Sequence, residues 1–272
     1  MGAALAGCLD GEALWASEGR SEASAARAKE AGIVDLGSLS SLLAAVDGVV
    51  SVCPPGAAVS VAEQVSGLGF DRLYVDVNAV SPATTRQMAR LFSRFVDGGI
   101  VGPPPTPSGQ GPDGTRLYVS GREASEVAEL FAGSPVDARV IGSEPGQASA
   151  LKMAYAAWTK GTSALLLSVS ALATSEGVAE ELFDEWEISI PELKNRLEQV
   201  SERIGEKAWR FVGEMEEIAS AHGDAGLPDG FHLAAADIYS RLADLKDHPR
   251  GQPPDEIMKM LLDKPASQDV WS

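Results

Sequence analysis

Met1-Gly2-Ala3-Ala4-Leu5-Ala6-Gly7-Cys8-Leu9 opens the chain as a helix of small residues, and Ala13-Leu14-Trp15-Ala16-Ser17 follows it as an extended segment. A helix that starts at a small residue and feeds a strand is the second half of a βαβ nucleotide-binding turn. On this reading the sequence begins inside the turn. No strand and no leading glycines stand ahead of Gly2, which supplies helix packing and part of an anion-binding helix terminus. The expectation is a nucleotide unit without its first strand.

Outward from this stretch the alternation continues. Glu22 to Ala31 is rich in Ala, Glu and Arg, strong helix formers. Ile33-Val34-Asp35 is short and extended, and Leu39 to Val46 is amphipathic. Gly48-Val49-Val50-Ser51-Val52-Cys53 is an apolar run ended by Pro54-Pro55. A helix over Val59 to Val65 leads to the strand Leu73-Tyr74-Val75-Asp76-Val77. The next helix is read from Pro82 to Phe95, with Ser81 as N-cap and Pro82 at its first position. Val and Leu runs separated by helices predict a parallel sheet covered on both faces. Residues 98–114, crowded with Gly and Pro, read as an irregular loop. Thr115 to Val119 then reads as a strand, Glu123 to Phe131 as a helix, and Ala138 to Ile141 as the last strand. After Gly146 the pattern is helical as far as Asp263, starting with an Ala-rich stretch from about Ala148 to Ser175.

Composition narrows the function classes. With 272 residues, 44% of them hydrophobic, the chain can bury a sizeable core in one large or two ordinary domains. A net charge of -17 argues against a nucleic-acid surface, which needs clustered Lys and Arg. Two cysteines, Cys8 and Cys53, make no disulfide framework and fit a reducing cytoplasm. The longest apolar stretch, Ala164 to Ala173, is interrupted by serines, so no membrane span is expected, and the start lacks the basic region of a signal peptide. His222, His232 and His248 lack the spacing of a metal site; they read as surface or satisfied structural residues, and no metal is expected. Glu214, Glu216 and Glu217 read as a solvated helix face.

Four segments fall at the carboxyl ends of the expected strands, where open α/β sheets bind ligands. They are Met1-Gly2, Ser17-Glu18-Gly19-Arg20-Ser21, Cys53-Pro54-Pro55 and Asp76-Val77-Asn78-Ala79-Val80-Ser81-Pro82. Their order and spacing resemble the β-hydroxyacid dehydrogenase and 6-phosphogluconate dehydrogenase superfamily. Phe95-Val96-Asp97-Gly98-Gly99-Ile100-Val101-Gly102 is similar to its substrate loop, and Gly146-Gln147-Ala148-Ser149-Ala150-Leu151-Lys152 to its catalytic-lysine helix. Arg210-Phe211-Val212-Gly213-Glu214-Met215-Glu216-Glu217-Ile218 resembles one branch, distinguished by an all-helical C-terminal domain of unassigned function.

The resemblance implies an α/β fold: a Rossmann-type doubly wound parallel sheet without its first strand in residues 1–145, then an all-α C-terminal domain in residues 146–272 for substrate binding and dimerisation. It implies an NAD(P)-dependent oxidoreductase acting on a small hydroxy-acid-like substrate in the cleft between the domains, and a homodimer formed through the C-terminal helices. The cofactor-binding residues are then Gly2, Ser17, Arg20, Ser21, Cys53, Pro54, Pro55 and Asn78. Arg20 follows the second strand, where the adenosine ribose lies, and its paired donors suit a 2′-phosphate. Glu18 could instead hold an unphosphorylated ribose; the arginine favours NADP(H) over NAD(H). A chain without the first strand is expected to bind NADPH poorly.

Lys152 takes the position of the family's general acid and base, with Tyr155 as the runner-up. Val101 and Gly102 stand in the substrate loop, and Thr159 lies on the Lys152 stripe together with Ala156 and Ser163. Two departures matter. Ala156 replaces the asparagine usual four residues after the lysine, and Val101 replaces the usual serine. Both remove polar contacts to a hydroxy acid, which keeps a carbonyl or imine reductase open as an alternative, beside a non-catalytic dimeric scaffold.

Overall fold

The computed structural model describes residues 1–106, 114–205, 207–247 and 251–263. They form two compact units, Met1–Met153 and Ala154–Ser272. The first unit contains α1 (Gly2–Ala6), β1 (Leu14–Trp15), α2 (Glu22–Glu30), β2 (Val34–Asp35), α3 (Leu39–Ala45), β3 (Gly48–Ser51) and α4 (Ala58–Gly67). These are followed by β4 (Leu73–Asp76), α5 (Pro82–Ala89), β5 (Phe95–Val101), β6 (Thr115–Ser120), α6 (Ala124–Glu129) and β7 (Val136–Gly142). Three helix starts are fixed locally: the hydroxyls of Ser21, Ser38 and Ser81 accept the N–H of Ser24, Ser41 and Thr84, each cap worth about 1 kcal/mol.

The strands make two sheets, a β1-β2 pair and a five-stranded sheet ordered β3-β4-β5-β6-β7. Alternate residues of the central strands feed opposite faces. Leu73 and Val75 of β4 join Leu5, Val96, Leu117, Val119, Val127 and Phe131 on one side. Tyr74 and Phe95 join Leu43, Ala58, Ala62, Val65 and Met88 on the other. Burial on both faces therefore matches the sequence pattern.

Two features depart from it. The sheet is parallel except between β5 and β6, where Gly99 lies opposite Tyr118 in an antiparallel ladder. A parallel neighbour needs a crossover of a dozen or more residues, usually a helix, and residues 102–114 between β5 and β6 are crowded with the helix-disfavouring Gly and Pro. The second departure is β5 itself. The helix read through to Phe95 ends at Ala89, and Phe95 begins a strand whose seven residues are all buried. Gly98 and Gly99 are thus not loop glycines. A Cβ on Gly98 would lie 2.6 Å from Val77 Cγ1, and one on Gly99 would lie 2.9 Å from Ala148 O, so both permit close approach inside the core. Of the expected loop only the part after Val101 remains, and residues 107–113 lie outside the described residues.

α7 (Gln147–Ser175) starts in the first unit and continues into the second. The second unit adds α8 (Ala179–Ser189), α9 (Glu192–Ile204), α10 (Ala208–Asp224), α11 (Gly230–Arg241) and α12 (Pro254–Asp263). Its core is built on Leu167, Met215, Ile218, Tyr239, Leu242, Ile257 and Met258, all buried. No helix among the described residues is long and apolar enough to cross a membrane.

Glu214 corrects the reading of a solvated acidic face. It is buried and paired with Lys160, whose ammonium lies 4.8 Å over the Phe211 ring, while Tyr239 donates to Lys160 O at 2.6 Å. Two histidines are also not simple surface groups. His222 donates from Nδ1 to Ile218 O at 2.8 Å, so its Nε2 accepts from His232 Nε2 at 3.1 Å. That leaves His232 Nδ1 buried without a hydrogen-bond partner. Burial first, and then the His222 charge, hold the His232 pKa below the ordinary histidine value. His248 lies outside the described residues.

Candidate functional site

Lys152 sits on the second turn of α7, half-buried, and donates from Nζ to Ile100 O at 2.7 Å. Ile100 is followed by Val101, the last residue of β5, and by Gly102 just beyond it. Val101 is buried, and Gly102 has φ 110°, a conformation open to glycine alone at little cost; a Cβ there would stand 2.3 Å from Gly114 O. Gly99 lets β5 and α7 approach: a Cβ on it would also lie 3.0 Å from Lys152 Cβ.

A buried carboxylate organises the start of this helix. Asp97 Oδ2 accepts from Gly146 N at 2.8 Å, Ser149 N at 2.9 Å and Ser120 Oγ at 3.1 Å, and Oδ1 accepts from Ser149 Oγ at 2.6 Å. Ser120 Oγ accepts Ala148 N at 3.0 Å, and Thr85 Oγ1 lies 2.7 Å from Ser149 Oγ. Burial pushes the Asp97 carboxyl above the usual range, opposed first by the Ser149 hydrogen bonds. Asp97, Ser120, Ser149 and Thr85 are functional candidates that the sequence reading did not assign. A signal was there: an aspartate inside the apolar run Phe95 to Val101 must find partners if it is buried.

A second polar cluster ties two strand ends together. Asn78 Oδ1 accepts Cys53 N at 2.6 Å, while Nδ2 donates to Asp76 Oδ1 at 2.6 Å and to Ser51 Oγ at 3.0 Å. Asn78 N donates to Asp76 Oδ2 at 3.2 Å. Asn78 is buried and its side-chain amide is engaged by protein, so it acts on the Cys53-Pro54-Pro55 turn from behind. Asp76 lies opposite Asp97 in the β4-β5 register. Its carboxyl is pushed up to about 7, by burial first, against the Asn78 hydrogen bonds and with help from the Asp97 charge.

The segment after β1 is shaped by short-range bonds. Ser17 N donates to Asp35 Oδ1 at 3.1 Å, and Arg20 N donates to Ser17 O at 2.9 Å. Ser21 caps α2, and Glu18 Oε2 accepts Leu39 N at 3.3 Å at the start of α3. Arg20 is exposed, and its charge reaches Cys53, whose thiol is nevertheless pushed up by burial. Gly2 lies beside the Cys53-Pro54-Pro55 turn, since a Cβ on it would touch Val52 Cβ at 3.5 Å.

In the second unit, Thr159 donates to Tyr155 O at 3.1 Å within α7, Tyr155 is exposed and Ala156 is buried. No group of three or more His, Cys, Asp or Glu side chains able to hold a metal ion occurs among the described residues.

Comparison with known proteins agrees with this organisation. Residues 173–242 match a domain of unknown function, DUF1932. An uncharacterized 28.5 kDa protein in the 7S RNA 5′ region of Methanothermus fervidus is 33% identical over 171 residues, 61% of this chain and 64% of that protein. The match spans less than two thirds of that relative's length. Among solved structures, a conserved protein of unknown function described as structurally similar to 3-hydroxyacid dehydrogenases is 28% identical, with a TM-score of 0.64 over 90% of this chain and 93% of its own. A conserved hypothetical protein from Sinorhizobium meliloti is 25% identical, with a TM-score of 0.63 over 90% of this chain and 83% of its own. The 3-hydroxyisobutyrate dehydrogenase of Mycobacterium tuberculosis shares the fold at 18% identity, with a TM-score of 0.61 over 96% of this chain and 95% of its own. The chain thus has the fold of the hydroxyacid dehydrogenase-like proteins, and its helical C-terminal part carries the DUF1932 match.

Proposed function

We propose that this chain is an NADP(H)-dependent oxidoreductase acting at the hydroxyl-bearing carbon of a small hydroxy-acid-like substrate, with Lys152 exchanging the hydroxyl proton. The observation that carries the reading is the Lys152 amine held 2.7 Å from Ile100 O, one residue before the Val101-Gly102 substrate segment. A lysine can serve as base and acid when its surroundings bring its pKa towards the working pH. The nicotinamide, when bound, takes or gives the hydride. Residues 1–145 act as the dinucleotide domain and 146–272 as the substrate and dimerisation domain. Cys8 and Cys53 are free thiols, in keeping with a cytoplasmic setting.

Gly2, Ser17, Arg20, Ser21, Cys53, Pro54 and Pro55 would hold the dinucleotide, with Asn78 fixing the proline turn. The chain's own residues fit a phosphorylated ribose better than a bare one. Glu18, the residue that would take the ribose hydroxyls, already accepts Leu39 N, whereas the Arg20 guanidinium is exposed. In a protein with a complete nucleotide-binding turn, Arg20→Ala is therefore expected to weaken NADPH by about 1.5–3 kcal/mol, the worth of a hydrogen bond to a charged group, and to leave NADH nearly unchanged. Calorimetric titration with both cofactors checks this, and equal losses would make Arg20 structural.

A carbonyl or imine reductase is the second reading. It is favoured by Val101 and Ala156, both apolar and buried, at positions where a hydroxy-acid enzyme of this superfamily carries serine and asparagine. A screen of hydroxy acids against NADP⁺, and of ketones and imines against NADPH, separates the two readings.

The proposal includes a homodimer. Trp158, Leu165 and Leu172 are 70%, 48% and 62% exposed and recur every seven residues along α7, the repeat of a helix-helix seam. Thr162 and Val169 lie between them, so α7 itself places no charge on the strip of a chain of net charge -17, and the Arg196 guanidinium from α9 meets it at the Thr162 hydroxyl. A strip of this kind is self-complementary under two-fold symmetry, and a second copy is its occupant. Light scattering should give a dimer for the parent protein and a monomer for Trp158→Glu/Leu165→Glu. A dimer that survives both changes would place the interface elsewhere.

A further inference from the structure

We infer that Asp97 is the positioning residue for Lys152. It acts as the N-cap of α7 from another element, and it fixes the rotation and height of the helix that delivers the lysine. The inference rests on the reading of Lys152 as the proton-transfer group only for its consequence; the geometry stands by itself.

A helix leaves its first N–H groups without intrahelical partners, and the usual remedy is a Ser, Thr, Asp or Asn immediately before the first turn. Here that position holds Gly146, with φ 103° and no side chain to offer. The missing acceptor comes from the middle of β5. One Asp97 oxygen takes both Gly146 N and Ser149 N, at 2.8 and 2.9 Å. Ser120, itself donating to Asp97, takes Ala148 N. The charge is placed where the partial positive end of the helix favours it.

Two further contacts turn the cap into a clamp. In a strand, residues two apart share a face, so Asp97 and Gly99 both point at α7. Gly99 leaves room for Ala148 O and Lys152 Cβ, which would stand 2.9 and 3.0 Å from any Cβ placed there. The next residue of β5, Ile100, receives Lys152 Nζ on its carbonyl. One strand thus grips one helix at Ser149 and again at Lys152, less than a turn apart. Ser149 Oγ, bonded to Asp97 Oδ1 at 2.6 Å and to Thr85 Oγ1 at 2.7 Å, links the same clamp to α5. Loss of the cap frees the first turn to shift, and Lys152 loses Ile100 O.

The test reads Lys152 itself and needs no substrate. The folded parent protein is treated with formaldehyde and a borane reductant, and methylation of each of its eight lysines is followed by mass spectrometry. Lys152 should react slowly, held by Ile100 O. In Asp97→Asn its rate should rise about tenfold, the worth of one hydrogen bond, while half-buried Lys160, paired with Glu214, keeps its parent rate. Because Asp97→Asn can fail to fold, Ser149→Ala is the second variant. It retains both backbone caps and should give a rise of about two- to threefold at Lys152 alone. An unchanged Lys152 rate in folded Asp97→Asn, or in Ser149→Ala when the former does not fold, would overturn the inference, as would equal acceleration at Lys152 and Lys160. If Lys152 protection depends on Asp97 but Lys152 proves dispensable for activity, the positioning stands and the proton-transfer reading falls.

Discussion

Lys152→Met should lower kcat by roughly 10²- to 10⁴-fold, the usual contribution of a positioned proton-transfer group, and leave NADPH affinity near that of the parent. Methionine keeps much of the apolar stem beside Gly99 and removes the amine that meets Ile100 O. Fold and helix register should survive, because the cap at Asp97 is untouched by this change. The loss therefore belongs to chemistry and should appear in kcat with little change in cofactor binding, the signature of an interaction made in the transition state. Tyr155→Phe is the comparison. Tyr155 is 46% exposed, and its backbone carbonyl rather than its phenol is the group engaged by Thr159. Its phenol is thus not held in a defined place by that contact, and its removal should cost less than tenfold. Single-turnover hydride transfer on a substrate found by the hydroxy-acid and carbonyl screen decides the order. A larger loss for Tyr155→Phe, with both variants folded, would move proton transfer to the tyrosine and favour the reductase reading.

The two proteins compared in such an assay differ at residues whose legibility in the sequence was unequal. Lys152 was singled out only by the resemblance of residues 146–152 to a catalytic-lysine helix, whereas the order of strands and helices was legible because runs of Val and Leu alternate with Ala- and Glu-rich stretches. β5 was not. Phe95 to Val101 contains two glycines and an aspartate, three residues that local propensity assigns to loops. The long-range contacts that make each of them necessary, Val77 at Gly98, Ala148 at Gly99 and the start of α7 at Asp97, are invisible along the chain. The same limit hid Glu214. Its neighbours Glu216 and Glu217 are partly or fully exposed, and the three look alike until Lys160 of α7 selects one of them. His222 and His232 likewise gave no metal or triad spacing, and their pairing follows from how α10 and α11 bring the rings within 3.1 Å. Periodicity reports which face is apolar; it does not report which polar residue on that face has a partner waiting.

Asp76→Asn should change how stability depends on pH more than any other single change at this site. Asp76 is fully buried, and its carboxyl titrates at about 7 instead of 3.8. The folded chain then holds a proton there that the unfolded chain has released across that interval. Its contribution to stability is complete below about pH 4 and is lost as pH rises through 7. Between about pH 5 and about pH 8 the loss is roughly 3 kcal/mol, at about 1.4 kcal/mol for each pH unit below the folded-state value. Asparagine cannot titrate and keeps an acceptor for the Asn78 amide. The parent should therefore lose stability relative to Asp76→Asn by that amount over the interval, read as the difference between urea midpoints at the two pH values. His232 works in the opposite direction. Its lowered pKa means that stability falls as pH drops below about 6.5, where the unfolded chain takes up a proton that the folded chain refuses. The comparison is accordingly made between variant and parent, where the histidine contribution cancels. Asp97 cancels only in part, because removing the Asp76 charge lets its neighbour across the β4-β5 register ionise more easily; that secures the cap on α7 and should widen the pH range over which Lys152 stays protected from methylation. Parallel stability curves for parent and variant would mean that Asp76 is ionised throughout, with donors beyond Asn78 holding its charge.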